Sequence, residues 1–367
     1  MASVARRPDG RWRARYRDGD GREHAQHFER KIDAERWVAA QRVSVDTGQH
    51  VDPRSGRTTL AEYADRWRSA QVHRPSTAAL VDSQLRLHVL PQLGARQLVS
   101  LRRSEVQAWV RGRSQVLAPA TTRQVYRLLA TILRSAVEDR MLTTSPCVRI
   151  AMPSRDPGQV EPLSVEQVEA LVGAAPAHYR ALIVLMSGTG LRPGEAFAVS
   201  TDRVDFLRRR LRVDRQVSLV SGPPTFAPPK TAASVRTVPL PGVVLEALAA
   251  HLSGHATGPE GVLFPSGTGG LIRRNRFHET IWQPTVARAG LPAGTRLHDL
   301  RHFYASLLIR HGESVKTVQD RLGHASATET LNTYAHLWPD SEDRTREAVD
   351  AVLLRPPADY LRTETLR

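Results

Sequence analysis

His298-Asp299-Leu300-Arg301-His302-Phe303-Tyr304-Ala305-Ser306-Leu307-Leu308-Ile309-Arg310 is the stretch on which the reading of this chain turns. Leu300, Tyr304, Leu307 and Leu308 recur at helical spacing and give the segment one apolar stripe, and Gly312 closes the helix. His298 and Arg301, three residues apart, project together from its first turn. That end carries free N–H groups and the positive end of the helix dipole, so it favours an anion. His298 and His302 also have the i, i+4 spacing of zinc-binding helices, but no glutamate follows the first histidine, as the zinc-protease pattern requires.

Downstream, Ser314 caps a helix carrying Val315, Val318 and Leu322, and Gly323 is a natural stop before His324. A further helix carries Tyr334 within Thr333-Tyr334-Ala335-His336. Upstream lies Gly188-Thr189-Gly190-Leu191-Arg192-Pro193-Gly194-Glu195. No Gly-Lys-Ser/Thr follows, so it is not a phosphate loop of the Walker type, and its spacing misses the dinucleotide fingerprint by one residue. It reads instead as a tight turn that sets Arg192 at the start of a helix beside Glu195, which orients the guanidinium.

The chain of 367 residues has the length of two or three domains. Its 52 basic against 37 acidic residues leave a net charge of +15, which favours a polyanionic partner, nucleic acid above all. Cys147 is the single cysteine, so an intrachain disulfide and a cysteine-based metal site are both excluded. No apolar run reaches the roughly 20 residues of a membrane span, and the first residues lack the apolar stretch of a signal peptide. These features predict a soluble, cytoplasmic protein. Only three of the basic residues are lysines, Lys31, Lys230 and Lys316.

The pattern along the chain predicts a multidomain protein: a small α+β N-terminal module, an all-α middle domain and a mixed α+β domain, mainly helical with a small antiparallel sheet. In residues 1–55, Arg11 to Arg17 alternates strictly, with Trp12, Ala14 and Tyr16 on one face and arginines on the other. Asp18 to Gly21 is a turn, Arg22 to Phe28 returns as a strand, and a helix follows from Asp33 to about Gly48. Such an arginine face suits a DNA groove; a solvated outer face is the plainer alternative. Residues 58–150 read as four helices, the first through Tyr63 and Trp67, the second along Leu80, Leu85 and Leu87, the third along Val106, Trp109 and Val110. The fourth runs along Val125, Leu128, Leu129, Ile132, Leu133 and Val137, with Arg123, Arg127, Arg134 and Arg140 off that stripe. Pro146 to Pro162 reads as an interdomain linker. Residues 160–340 form the last domain, and 341–367 a charged tail with a weak stripe at Ala348, Val349, Val352 and Leu353.

Taken in order, Arg192, His298, Arg301, His324 and Tyr334 resemble the signature of the tyrosine recombinase, or phage integrase, family, and the local motifs Thr189 to Arg192, His298 to His302, Leu322 to His324 and Thr333 to His336 are similar to its motif boxes. The family's lysine, borne on a β-hairpin between the two arginine boxes, falls on Lys230, and Ser234 to Leu240 is similar to the second hairpin strand. Departures are a missing threonine after the second arginine box, where Phe303 and Tyr304 stand, and an altered continuation of the first box from Ala196 to Thr201.

The resemblance implies a site-specific DNA recombinase that integrates or excises a phage or mobile element through a 3′-phosphotyrosine on Tyr334. It implies an arm-type DNA-binding module at 1–55, a SAM-like core-binding domain at 58–150 and a catalytic domain at 160–340. Arg192 and Arg301 would hold the phosphate oxygens, His298 take the phenolic proton, His324 donate to the phosphate and Lys230 protonate the leaving 5′-oxygen, which arginine cannot do. Exchange of one phosphodiester for another conserves bond energy, so no cofactor or metal is expected. Implied partners are double-stranded DNA at attachment sites and three further protomers in a DNA-bound tetramer, with the tail packing on a neighbour. A directionality factor and a host DNA-bending protein are partners open to such an enzyme. A chromosome-dimer-resolving recombinase of the same family and a type IB topoisomerase remain alternatives. Outside this chemistry, so do a metal-dependent nuclease and a non-catalytic DNA-binding regulator.

Overall fold

A computed structural model of the chain describes residues 2–18, 21–46, 57–154, 160–218, 222–338 and 342–353. The chain divides into two compact units, Met1–Pro157 and Gly158–Arg367.

The first unit opens with strands β1 (Ser3–Arg6), β2 (Trp12–Arg17) and β3 (Glu23–Phe28) in one antiparallel sheet, followed by helix α1 (Lys31–Asp46). Pairing Ala14 with Val4 and Gln26 fixes the register, and the two-residue period then buries Ala14 and Tyr16 on one face. Tyr16 meets the Trp37 ring of α1 edge-on at 5.2 Å. Strand β1 is absent from the sequence reading because its short Ser-Val-Ala-Arg run buries no residue fully. On the other face Arg13, Arg15 and Arg17 all lie within 3.5–3.9 Å of Glu23, so the arginine row carries a central carboxylate. Gly19 and Asp20 of the expected turn, and Gly48 at the expected helix end, lie outside the described residues.

Helices α2 (Leu60–Ala70), α3 (Pro75–Gln84), α4 (Leu90–Leu93), α5 (Arg103–Ser114) and α6 (Pro119–Glu138) build a second core in this unit. Thr59 and Glu62 close a capping box at the start of α2, worth about 1 kcal/mol. The second expected helix differs from its reading. A π-turn at Leu85–Val89 joins α3 to α4, and the buried set becomes Val81, Leu85, Val89 and Leu93, spaced by four, while Leu80 and Leu87 are exposed. A turn wider than 3.6 residues moves the stripe off the regular period. The expected linker also begins too early: Arg103 donates to the carbonyls of Val148 and Arg149, Gln107 exchanges two hydrogen bonds with Ala151, and Arg123 donates to Pro153. Residues 147–153 therefore belong to the helical bundle, and residues 155–159 lie outside the described set.

The second unit begins with α7 (Val165–Ala174), capped by Ser164 and Gln167. Helix α8 (Ala177–Thr189) is its axis: Leu182, Ile183, Leu185 and Met186 are all buried. There follow α9 (Pro193–Ala196), strands β4 (Val204–Asp205), β5 (Arg210–Val213), β6 (Gln216–Ser218), β7 (Thr225–Ala227) and β8 (Arg236–Pro239), then α10 (Gly242–Gly254), α11 (Arg274–Phe277) and α12 (Gln283–Arg288). Helices α13 (Asp299–Arg310), α14 (Val315–Leu322) and α15 (Ala327–Tyr334) carry the late motifs, and α16 (Glu342–Leu353) follows. The sheet order is β4-β5-β8, with β6-β7 a separate hairpin. Thus Ser234 to Leu240 does not supply the second strand of the Lys230 hairpin. Its strand pairs with β5, because Leu211 and Val238, opposite each other, fill the core together. No described helix is long and apolar enough to cross a membrane.

Candidate active site

Three arginines converge on the end of α14. The last carbonyls of a helix have no partner within it and attract positive charge. Here Arg236 donates to Arg321 O at 2.8 Å, Arg301 to Leu322 O at 2.8 Å and Arg192 to Gly323 O at 3.0 Å, so three successive carbonyls seat three guanidinium groups. Gly323 makes this possible. Its φ of +65° ends the helix in the left-handed region, and a Cβ there would stand 3.0 Å from an Arg236 nitrogen and 3.1 Å from Ala233 O.

Arg301 is the most enclosed of the three at 1% exposure. Its other donor bonds Gly190 O at 2.7 Å, the residue that caps α8 with φ +64° and where a Cβ would strike Tyr304. Burial, and then the charge of Arg192, pull the Arg301 guanidinium down to about 9. Arg192 lies at the mouth, its side chain 29% exposed. It is oriented as its sequence context predicted: Glu195 accepts from its backbone N–H at 3.0 Å and from its guanidinium at 3.1 Å. Glu195 is buried, which works against its charge, but Arg236 at 2.9 Å and Arg192 outweigh that and hold its carboxyl below the usual range. Three cations therefore share one buried carboxylate, and the pocket has an excess of positive charge suited to a phosphate.

Tyr334 ends α15 and is 1% exposed. Its hydroxyl lies 2.8 Å from His302 Nδ1, and its ring lies parallel to that of His324 at 6.5 Å. Burial raises the phenol to about 12, against the pull of Arg301. His324 bonds Thr330 Oγ1 through Nδ1 at 2.8 Å. Burial, then Arg301 and Arg192, push His324 down to about 3, and burial followed by His302 and Arg301 does the same to His298. Burial also lowers His302. All three imidazoles are thus neutral near pH 7.

Five of the six expected residues, Arg192, His298, Arg301, His324 and Tyr334, meet in this one region. His298 makes no hydrogen bond to the phenol among the described residues; His302 occupies that place, a role the sequence reading did not give it. Lys230 stands apart, exposed just beyond β7, and forms no hydrogen bond or ion pair among the described residues. Its neighbour Thr231 bonds Ser234, whose hydroxyl accepts from Arg192 at 3.2 Å, so the lysine loop is tied to the pocket. Arg236 was also missed. Its parts, the ion pair with Glu195 and the bond to Arg321 O, both depend on residues far away in sequence.

The phage integrase family matches residues 161–340, and its N-terminal domain residues 2–47. The putative prophage phiRv2 integrase of Mycobacterium tuberculosis is 29% identical over 338 residues, covering 89% of each chain. The integrase of Mycobacterium phage L5 is 27% identical over 339 residues, covering 88% of this chain and 90% of its own. Among solved structures, the Tn1549 transposon integrase in complex with transposon right end DNA has a TM-score of 0.70 at 22% identity, covering 80% of this chain and 99% of that one. A lambda integrase dimer bound to a COC′ core site has a TM-score of 0.58 at 17% identity, covering 92% and 95%. Fold, site and relatives together define a site-specific recombinase of the tyrosine type, an enzyme that works on DNA. Within that class the chain belongs to the phage integrase family.

Proposed function

We propose that Tyr334 is the nucleophile that cuts and rejoins DNA at the attachment sites of a phage or mobile element. The observation that carries this reading is a phenol bonded to an imidazole beside three converging arginines. Arg192 and Arg301 hold the non-bridging oxygens of the scissile phosphate and stabilise the charge that grows as it becomes pentacoordinate. His324, whose Nδ1 is engaged by Thr330, directs Nε2 at the phosphate. The phenolic oxygen forms a bond to phosphorus as the bond to the 5′-oxygen breaks. The phenol's proton passes to a neutral imidazole, His302 by its 2.8 Å contact, with His298 beside it in edge-on ring contact at 5.0 Å. Lys230 supplies a proton to the departing 5′-oxygen, and its free, exposed ammonium supports that role.

Residues 1–55 serve as the arm-site binder, residues 58–150 as the core-site binder, and residues 160–340 as the catalytic domain. The N-terminal family match at 2–47 favours an integrase over a chromosome-dimer resolvase. The active form is a tetramer on paired DNA sites. Val349, Val352 and Leu353 of α16 are 49–75% exposed, an apolar edge suited to a neighbouring protomer. A directionality factor and a host DNA-bending protein are the expected accessories, and the bacterial nucleoid the place of action. A nicked attachment-site substrate tests the core of this: wild type accumulates covalent protein–DNA adduct and Tyr334→Phe forms none. Adduct formation by that variant would refute the proposal.

A further inference from the structure

The other end of α8 carries a second group of imidazoles that recombination chemistry does not use. His178 lies in the first turn of α8, His251 in the last turn of α10, and His255 caps α10. One ring nitrogen from each lies within 4.8 Å of the others. The His251 and His255 rings are parallel at 4.7 Å, with His178 tilted against them at 5.5 and 5.1 Å.

We propose that His178, His251 and His255 form a binding site for a divalent transition-metal ion of the zinc class, with water as fourth ligand. Each ring is already fixed by its opposite nitrogen. His178 Nε2 lies 2.9 Å from Pro265 O, His251 Nε2 2.7 Å from Leu263 O, and His255 Nδ1 3.3 Å from His251 O. A carbonyl only accepts, so those nitrogens carry the hydrogens and the remaining three, Nδ1, Nδ1 and Nε2, present lone pairs. Backbone carbonyls holding the far nitrogen are the usual support of ligating histidines. His251 is 4% exposed, yet its Nδ1 is buried with no hydrogen-bond partner among the described residues. A bound cation would satisfy it.

The donor set selects the ion. Three neutral nitrogens without a carboxylate suit Zn2+, Ni2+ or Cu2+ and not Mg2+ or Ca2+. Ligand bonds of about 2.0–2.1 Å place tetrahedral nitrogens roughly 3.4 Å apart, which the half-buried His178 and His255 rings can approach by small rotations. Their partial exposure also leaves a route for the ion and a place for water. The site would join the start of α8, the end of α10 and the 263–265 segment. Helix α8 has 13 residues, so the ion would sit about 20 Å from the Arg192 turn and act as a staple, not as a catalyst.

The test uses the full-length protein without an affinity tag, treated with EDTA and dialysed. Co2+ titration should give one equivalent with the visible band of a tetrahedral nitrogen site, and Zn2+ should raise the melting temperature while Mg2+ does not. His178→Ala and His255→Ala, checked by circular dichroism, should each weaken Zn2+ by at least about 100-fold, since removing a ligand exceeds the loss from an outer-shell partner. In wild type labelled with 15N-histidine, Zn2+ should shift three imidazoles and leave those of His298, His302 and His324 unmoved, a readout that needs no variant to fold. Absence of a Zn2+ effect on the wild type, equal binding by the variants, or shifts at the recombinase histidines instead would overturn the proposal.

Discussion

Helix α8 separates two groups of three histidines that differ in their company. At its end, His298, His302 and His324 stand among Arg192, Arg236 and Arg301, and arginines are among the charges acting on His298 and His324. At its start, burial lowers His251, and the charged groups acting on it among the described residues are the other two imidazoles. The same side chain is thereby set to different work. Arginines repel a metal ion and gather phosphate, whereas an unaccompanied imidazole cluster offers lone pairs to a cation. Residue type alone does not assign the chemistry; the neighbouring charges do.

The largest expected effect lies on the arginine side. Arg301→Ala should slow strand cleavage by about 10³-fold while DNA affinity changes little, and Arg301→Lys should rescue poorly because a point charge lacks the fork. Lys230→Ala should cost about 10²-fold, restored on a substrate whose 5′-bridging oxygen is sulfur, a leaving group that needs no proton. Failure of that rescue would remove Lys230 from its role. Arg236→Met leaves Glu195 buried with one partner fewer and should destabilise the protein by about 3 kcal/mol, read in denaturant melts; an unchanged midpoint would show that the pair does not hold the pocket.

The pH dependence sharpens the contrast further. His298 and His324 sit near 3 in the folded protein against about 6.5 unfolded, so the unfolded state takes up protons first. Stability contributed by these groups is complete above pH 6.5 and is lost as pH falls toward 3, by up to about 1.4 kcal/mol per pH unit for each. Cleavage should likewise stay level from pH 8 to 6.5 and decline only below, as the accepting imidazole is protonated. The smallest effect belongs to the other cluster: after EDTA treatment, cleavage below the melting temperature should remain within about twofold, although the melting temperature drops. Loss of cleavage would mean that metal enters the chemistry.

Much of this was legible in sequence where a regular period or a local cap governs. The stripes of α5 and α6, the serine cap of α14 and the Arg192–Glu195 turn all depend on residues a few positions apart, whereas α13 is buried from Leu300 through Ser306 on more than one face and leaves Leu307 and Leu308 of its expected stripe half-buried. What escaped depends on distant partners or irregular turns. The π-turn at Leu85–Val89 shifts the buried stripe, β8 chooses β5 through Leu211 and Val238, and residues 147–153 are held by side chains of α5 and α6. His302 could have been suspected from its place beside Arg301, but its bond to Tyr334 crosses two helices. Arg236 leaves no local pattern, since its partners lie on other elements; His251 and His255 do show the i, i+4 spacing of a ligand pair, but His178, far away in sequence, could not be joined to them without the fold.

The central claim is that the buried phenol of Tyr334, and no other side chain, becomes joined to DNA. Covalent adduct formed on a nicked attachment site, digested with trypsin and nuclease and sequenced by mass spectrometry, should carry the nucleotide on the peptide containing Tyr334, through a 3′-phosphate. A nucleotide on Tyr304 or any other residue, or a 5′ linkage, would contradict it.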